Sequence, residues 1–185
     1  MSTDNYVAPA DNSVKRLQAV PPDLPAGITL RHCLKPGDLG SIIHHHGMVY
    51  AREYGFDPTF EAYVAGPLAE FFRSRSDRDR LWIAERGENL VGSIAIVGTS
   101  ANEAQLRWFL VDPSSRGKGL GRGLLREAVT FSRSCGYESL FLWTVSALTA
   151  AARLYRSVGF VKVQELPSNH WGVEVIEERY MLALS

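Results

Sequence analysis

The chain has 185 residues and no net charge, because 20 Lys and Arg residues balance 20 Asp and Glu residues. Hydrophobic residues make up 45% and charged residues 22%, as in globular proteins that bury a sizeable core. The charge balance argues against a broad electrostatic surface for nucleic acid or for an anionic membrane. There is neither an apolar stretch of about 18 residues nor a signal-peptide pattern, so we expect a cytoplasmic protein. Cys33 and Cys135 lack metal-ligand spacing, which predicts free thiols.

Residues 1–27 are rich in small and polar residues and in proline, and they show no sustained periodicity. We therefore expect a flexible N-terminal tail followed by a single domain over residues 28–185. An alternating run at 28–34 predicts the first strand. The helical period then predicts a helix that begins at Asp38 and ends at Gly55.

In the rest of the chain, the periodicity of the apolar residues changes several times. A second helix is predicted from Pro58, with a kink or a restart at Gly66-Pro67, because proline removes a backbone donor. The sequence order of elements, βααβββαβαββ, indicates one α/β domain without internal repeats. The predicted later segments are strands at 81–85, 90–97 and 105–111, a helix at 120–135, a strand at 139–145, a helix at 148–158, and strands at 160–164 and 173–184.

The most informative segment is Arg116-Gly117-Lys118-Gly119-Leu120-Gly121, between a strand and an amphipathic helix. Its alternate glycines leave backbone N–H groups open at a helix N-terminus, where the peptide dipoles favour an anion. A phosphate or pyrophosphate would fit there, with Arg116, Lys118 and Arg122 adding positive charge. The alternative is a flexible glycine turn with solvated cations. The glycine spacing excludes both a Walker loop and a G-x-G-x-x-G dinucleotide fingerprint.

Residues 110–121, LVDPSSRGKGLG, resemble the acetyl-CoA signature Arg/Gln-x-x-Gly-x-Gly/Ala of the Gcn5-related N-acetyltransferase (GNAT) superfamily. Residues 151–160, AARLYRSVGF, resemble its second signature, A-x-x-L-Y-x-x-x-G-F. The two segments follow the family's order and spacing, and the similarity covers roughly residues 28–184. Residues 50–55 and 142–144 are also similar to the acetyltransferase half of bacterial MarR–acetyltransferase fusions. No winged-helix segment precedes them, so we expect no DNA-binding role.

The resemblance implies an α/β fold of GNAT type, with a central mixed, mostly antiparallel, twisted sheet of about six or seven strands flanked by about four helices. It implies an N-acetyltransferase that uses acetyl-CoA as cosubstrate and an amine as acceptor, works without a metal, and is a monomer or a homodimer. Tyr155 would act as the general acid that protonates the departing thiolate, although a core tyrosine is the alternative. The implied cofactor-binding residues are Leu110 and Val111, which would pair with the pantetheine arm, together with Arg116, Gly117, Lys118, Gly119, Leu120, Gly121, Arg122 and Ala151.

Two positions depart from the family pattern. Leu148 stands where the family often has Asn, and Gln105 stands where a Glu often serves as general base. Glu103 would share a strand face with Gln105. The general base is therefore unassigned, and an acyl-CoA-binding sensor without turnover is the alternative function.

By the same resemblance, the first two helices and the late strands form the acceptor site. His46, Tyr50 and Tyr54 share one helix face that either lines a pocket or forms a core edge, and we expect His46 to titrate near neutral pH. Residues 44–46 diverge around a helix and cannot all bind one metal ion. We expect a loop at His170-Trp171 that could close over an acceptor. Further candidates are Glu103 and the acidic residues Glu174, Glu177 and Glu178, which could attract a cationic amine or form a solvated strand edge.

Overall fold

A computed structural model describes residues 24–184, in which seven strands and four α-helices follow the predicted order. The strands are β1 (Thr29–Arg31), β2 (Arg80–Arg86), β3 (Asn89–Gly98), β4 (Glu103–Val111), β5 (Ser139–Val145), β6 (Val161–His170) and β7 (Val173–Ala183). The helices are α1 (Asp38–Tyr54), α2 (Thr59–Ser74), α3 (Leu120–Ser134) and α4 (Thr149–Ser157). Residues 1–23 of the expected tail lie outside the described residues.

All seven strands form one sheet in the order β1-β2-β3-β4-β5-β7-β6. Every neighbouring pair is antiparallel except β4 and β5, which confirms the α/β fold with a mixed, mostly antiparallel sheet. The parallel pairing runs only from Glu103 opposite Ser139 to Gln105 opposite Phe141. Beyond Gln105, β4 stays paired with β3 as far as Val111, but no strand within residues 24–184 pairs with its other side. The sheet is therefore split near its centre.

Two hydrophobic cores cover the two faces of the sheet. One lies between the sheet and α3, with Ile94, Leu124 and Leu140 fully buried. The other packs α1 and α2 against the opposite face and contains the fully buried Ile42 and Leu68. Because each face is buried by its own helices, the sheet positions α1 and α3 on opposite sides of the split between β4 and β5.

A β-bulge in β4 changes which face its side chains occupy. The register of β4 against β3 shifts between Ser93 and Ala95, and Trp108 there has a positive φ of 46°. Leu106 packs in the α3-side core, whereas Trp108 packs in the α2-side core, so the regular alternation is broken. The Ser93 hydroxyl donates a 2.7 Å hydrogen bond to the Trp108 carbonyl and holds this irregular backbone in place.

Two sequence-based expectations differ from the structure. Of the predicted kink or restart at Gly66-Pro67, the restart is wrong, because α2 continues through Pro67 as one helix whose buried face includes Val64 and Leu68. Burial on both sides of the proline outweighs the missing backbone donor. The predicted loop at His170-Trp171 is instead a tight hairpin, since β6 extends to His170 and only Trp171 and Gly172 lie between the strands. Their φ angles of 58° and 78° suit a two-residue hairpin turn.

None of the helices within residues 24–184 has the length and apolar character needed to cross a bilayer.

Replacing Leu124 with Ala tests the α3-side core. Leu124 is fully buried, so we expect Leu124→Ala to lower the free energy of unfolding by about 2–5 kcal/mol, measured by urea denaturation. Leu166→Ala on β6 is the matched control, because Leu166 is 45% exposed and its truncation should change stability by less than about 0.5 kcal/mol. Equal losses in the two variants would contradict this description of the core.

Candidate active site

The split between β4 and β5 opens onto a cleft of about 460 Å³ at the N-terminus of α3. Its walls come from the end of β4, the glycine-rich loop, α1 and the start of α4. Most of the predicted cofactor-binding residues line it: Leu110, Val111, Arg116, Gly117, Gly119, Gly121, Arg122 and Ala151. Lys118 and Leu120 do not, since the Lys118 ammonium donates to the Ser114 carbonyl and the Leu120 side chain is buried in the core.

The loop presents a row of free backbone donors to this cleft. No backbone N–H from Gly117 to Arg122 donates to an acceptor in residues 24–184, and the first helical bond of α3 runs from Gly123 N–H to the Gly119 carbonyl at 3.0 Å. Gly117 and Gly119 have φ angles of 74° and 89°, which side chains other than glycine rarely adopt. These donors and the α3 dipole together suit an anion.

Arg116 holds the loop in place with its side chain. Its Nη1 donates to both carboxylate oxygens of Glu53 on α1, at 2.9 and 2.7 Å, and its Nε donates to the Val111 carbonyl at 3.0 Å. The guanidinium charge expected to attract a phosphate is therefore largely compensated by Glu53. Arg122 is the cationic residue of the loop region that lines the cleft without such a partner among the described residues.

Tyr155 lies where the cleft meets a second cavity. Its ring is buried against Phe109, Phe160 and Tyr180, with ring centroids 5.9–6.0 Å apart. The Tyr155 hydroxyl has no hydrogen-bond partner in residues 24–184. Burial raises the pKa of this hydroxyl far above its ordinary value, so it keeps its proton at neutral pH.

The second cavity has a volume of about 100 Å³ and lies between α1, α2 and the strands that flank the split. It shares Tyr50, Phe109 and Tyr155 with the cleft, so the two spaces meet at Tyr155. Its other lining residues are mainly aromatic and apolar: His46, Phe56, Phe60, Tyr63, Val64, Gln105, Leu106, Arg107, Trp108, Leu142, Trp143, Thr144, Val145, Trp171 and Glu177.

The structure brings only some of the acceptor-site candidates together. His46, Tyr50 and Trp171 line the second cavity, and Tyr54 lines the cleft. Glu177 also lines the second cavity, and four candidates line neither space: Glu103, His170, Glu174 and Glu178. Glu103 pairs with Arg179 at 3.6 Å, and the exposed His170 pairs with Glu177 at 3.1 Å.

His46 does not titrate near neutral pH, contrary to the sequence-based expectation. Complete burial lowers its pKa from an ordinary value of 6.5 to about 4. Its Nδ1–H donates to the Ile42 carbonyl at 2.9 Å, and its ring stacks on Tyr50. The imidazole is therefore neutral at physiological pH, and its contribution to the cavity is shape rather than charge.

Sequence reasoning missed Arg107 and Trp108 as cavity residues. Arg107 lies two positions after Gln105 on β4, so strand alternation could have placed it on the same face. Trp108 could not be found in this way, because the bulge turns it to the face that alternation assigns to its neighbours. In residues 24–184, no group of three or more His, Cys, Asp or Glu side chains is arranged for a metal ion.

The pKa of His46 can be measured by NMR titration of its imidazole C–H signals, assigned with a His46→Gln variant. We expect a midpoint near pH 4. Between pH 6.5 and 4 the unfolded chain binds this proton more readily than the folded chain, so the free energy of unfolding should decrease as the pH falls through that window. The His46→Gln variant should lack this component, and a midpoint near 6.5 would show that the ring is solvated.

Comparisons with known proteins agree with this geometry. Rat N-acetyltransferase 8B is 31% identical over 115 residues, covering 57% of this chain and 52% of the relative. Mycothiol acetyltransferase from Thermobispora bispora is 33% identical over 130 residues, covering 69% of this chain and 36% of the relative. The matches thus span about half or less of these two relatives.

The fold is shared with solved acetyltransferase structures. The Salmonella typhimurium protein yncA, solved with its cofactor acetyl-CoA, superimposes with a TM-score of 0.70 at 19% identity, over 86% of this chain and 95% of that one. The model of the acetyltransferase (GNAT) family matches residues 46–160, which is well over half of the chain. The cleft, the glycine-rich loop and these matches lead to one conclusion: the chain belongs to the GNAT acetyltransferase family.

Proposed function

We propose that the protein is an acetyl-CoA-dependent N-acetyltransferase that moves the acetyl group directly to the amine of a bound acceptor. The observation that carries this proposal is the meeting of two different cavities at Tyr155. One has an anion-binding loop and an open strand edge, and the other is a small aromatic pocket. Family membership and the acetyl-CoA held by the Salmonella typhimurium structure support the same function.

The residues of the cleft fit acetyl-CoA. The N–H groups from Gly117 to Arg122 suit a pyrophosphate, which needs several donors and tolerates no side chain at close approach. The unpaired edge of β4 from Leu106 to Val111 suits an extended arm that carries amide groups, because such an arm can add to the sheet as a strand would. When bound, acetyl-CoA supplies an activated acetyl thioester.

Transfer forms a C–N bond to the acceptor and breaks the C–S bond of the thioester. Tyr155, protonated across neutral pH, donates its proton to the sulfur and is reprotonated from water. Gln105 lines the acceptor pocket, but its amide cannot accept the surplus proton of the amine nitrogen, so that proton leaves to water. Backbone N–H groups on the open edge of β4 stabilise the negative charge that develops on the carbonyl oxygen. The products are an N-acetylated amine and the CoA thiol.

An acyl-CoA sensor without turnover is the second candidate. It is favoured by Gln105, whose amide cannot act as a general base, and by Leu148, which lines the cleft with an apolar side chain. Both candidates require the cleft to bind acetyl-CoA, and they differ only in what happens at Tyr155.

Gly121→Glu tests the position of the cofactor. A side chain there would enter the cleft beside Leu154 and Phe109 and would place a negative charge next to the pyrophosphate site. We expect acetyl-CoA affinity, measured by calorimetry, to fall at least about tenfold. The matched control is Gly40→Glu, in the exposed first turn of α1 with nothing within 4 Å of its added Cβ. Equal binding by the two variants, or no binding by folded wild type, would contradict the proposal.

Tyr155→Phe separates the enzyme from the sensor. The ring and its packing remain while the proton donor is lost, so we expect the turnover number to fall about 10²- to 10⁴-fold with acetyl-CoA affinity nearly unchanged. Tyr137→Phe is the control, because Tyr137 is also buried but donates its hydroxyl to the Arg78 carbonyl away from the cleft. An unchanged rate would refute the role of Tyr155 as acid. Wild type that binds acetyl-CoA but acetylates no amine would be the sensor.

A further inference from the structure

Arg107 carries a positive charge into the acceptor pocket, and no carboxylate in the described part of the chain balances it. Its side chain is half-buried and its guanidinium stacks on the Trp108 ring, 4.9 Å from the ring centroid. No carboxylate in residues 24–184 lies within ion-pair distance of it. Burial lowers the pKa of Arg107, the direction expected for a cation that has lost water without gaining an anion.

Two other arginines of the fold, Arg31 and Arg116, are compensated by acidic side chains, whereas Arg80 is half-buried without a carboxylate partner in residues 24–184 but lines neither cavity. Arg31 contacts both Asp38 and Glu85 at 2.7 Å, and Arg116 contacts Glu53. A desolvated guanidinium without a partner is unfavourable, so its retention at a pocket wall calls for an anion that arrives with a ligand. The geometry of a guanidinium suits a carboxylate, which it can bind through two parallel hydrogen bonds.

Glu177 provides the opposite charge in the same pocket. It lies on β7 opposite Val145, it lines the pocket, and its carboxylate pairs with His170 at 3.1 Å. Arg107 and Glu177 form no ion pair with each other, yet both act on the Tyr63 hydroxyl. Burial raises the pKa of Tyr63, Arg107 lowers it and Glu177 raises it. The pocket therefore holds two separated charges of opposite sign.

The rest of the pocket limits the size and character of the ligand. Its volume of about 100 Å³ is well below the roughly 300–1,000 Å³ of pockets for drug-sized ligands. Phe56, Phe60 and Trp171 form an apolar wall with ring centroids 4.9–5.2 Å apart. The Thr144 hydroxyl also lines the pocket, is buried, and has no hydrogen-bond partner in the described part of the chain. It offers one more polar contact to a ligand.

We propose that the acceptor is a free amino acid with an apolar or aromatic side chain, whose carboxylate is bound by Arg107. Its ammonium form is attracted by Glu177, and its side chain packs on the aromatic wall. This inference rests on the proposed function and specifies its substrate class. After the ammonium group loses a proton to water, the neutral nitrogen forms the C–N bond, its remaining surplus proton leaves to water, and the sulfur takes the proton of Tyr155. The products are an N-acetyl amino acid and the CoA thiol.

The test compares acceptors that differ only in the carboxylate. The pairs are L-leucine with 3-methylbutylamine and L-phenylalanine with 2-phenylethylamine. Binding is followed without acetyl-CoA by tryptophan fluorescence, since Trp108, Trp143 and Trp171 all line the pocket. We expect at least one amino acid to bind about 10- to 100-fold more tightly than its decarboxylated partner, the effect of one charge-assisted contact. Release of free thiol with acetyl-CoA present should show the same preference in kcat/KM.

Two substitutions separate the roles of the two charges. Arg107→Gln should remove the preference for the carboxylate, weakening the amino acid about 10- to 100-fold and leaving the decarboxylated amine unchanged. Glu177→Gln should weaken both members of a pair, because both carry the amine. Arg80→Gln is the matched control, since Arg80 is also half-buried and stacks on an aromatic ring, Phe131, but lines neither cavity. It should keep the wild-type preference.

These experiments test the amino-acid acceptor independently of the proposed acetyltransferase function. The inference is overturned if neither amino acid binds, if both members of each pair bind alike, or if the preference survives Arg107→Gln. Calorimetry with acetyl-CoA and thiol release with other amines test the transferase itself. A protein that binds acetyl-CoA and acetylates amines without a carboxylate equally well would retain the proposed function and lose this substrate class.

Discussion

The separation of β4 from β5 after Gln105 is the constraint on which the rest of the site depends. The two strands pair over three residue positions and then diverge, while β3 continues to hold β4 on its other side. A strand edge in the middle of a sheet leaves backbone donors and acceptors unpaired, which is costly unless something else pairs with them. The bulge at Trp108 lies in the same stretch and turns side chains toward the acceptor pocket. An open edge, a cleft and a pocket therefore all follow from one interruption of the hydrogen-bond ladder.

Burial has different chemical consequences for Tyr155 and His46, which both lie where the two cavities are adjacent. Desolvation disfavours the charged form of any group, so it raises the pKa of Tyr155 and lowers that of His46. Tyr155 consequently keeps the proton that an acid needs, whereas His46 loses the ability to exchange a proton at neutral pH. The histidine that looked useful from its residue type is a packing element. Tyr155 is also buried among aromatic rings, and its hydroxyl stays protonated at neutral pH.

Charges around the site are handled in two ways. The glycine-rich loop offers neutral backbone donors, while its neighbouring Arg116 is paired with Glu53 and stiffens the loop against α1. The second cavity instead presents charged side chains, because Arg107 and Glu177 line it and do not pair with each other. Neutral donors suit a cofactor that must bind and leave repeatedly, and separated charges suit discrimination among small acceptors. The two halves of the site thus use electrostatics for different purposes.

The sequence by itself determined the order of elements, the family and the position of the glycine-rich loop, because these depend on local patterns. Periodicity of apolar residues predicts helices and strands, and the glycine spacing after Val111 defines the loop without knowledge of distant neighbours. Only the tertiary structure decided that Arg107 has no counter-ion among the described residues, that His46 is desolvated, and that Glu103 is held by Arg179 rather than placed in the pocket. Burial and charge pairing are set by residues far apart in the chain, so no local pattern reports them. No local pattern reports the bulge at Trp108 either, because it exists only as a mismatch of register between two strands.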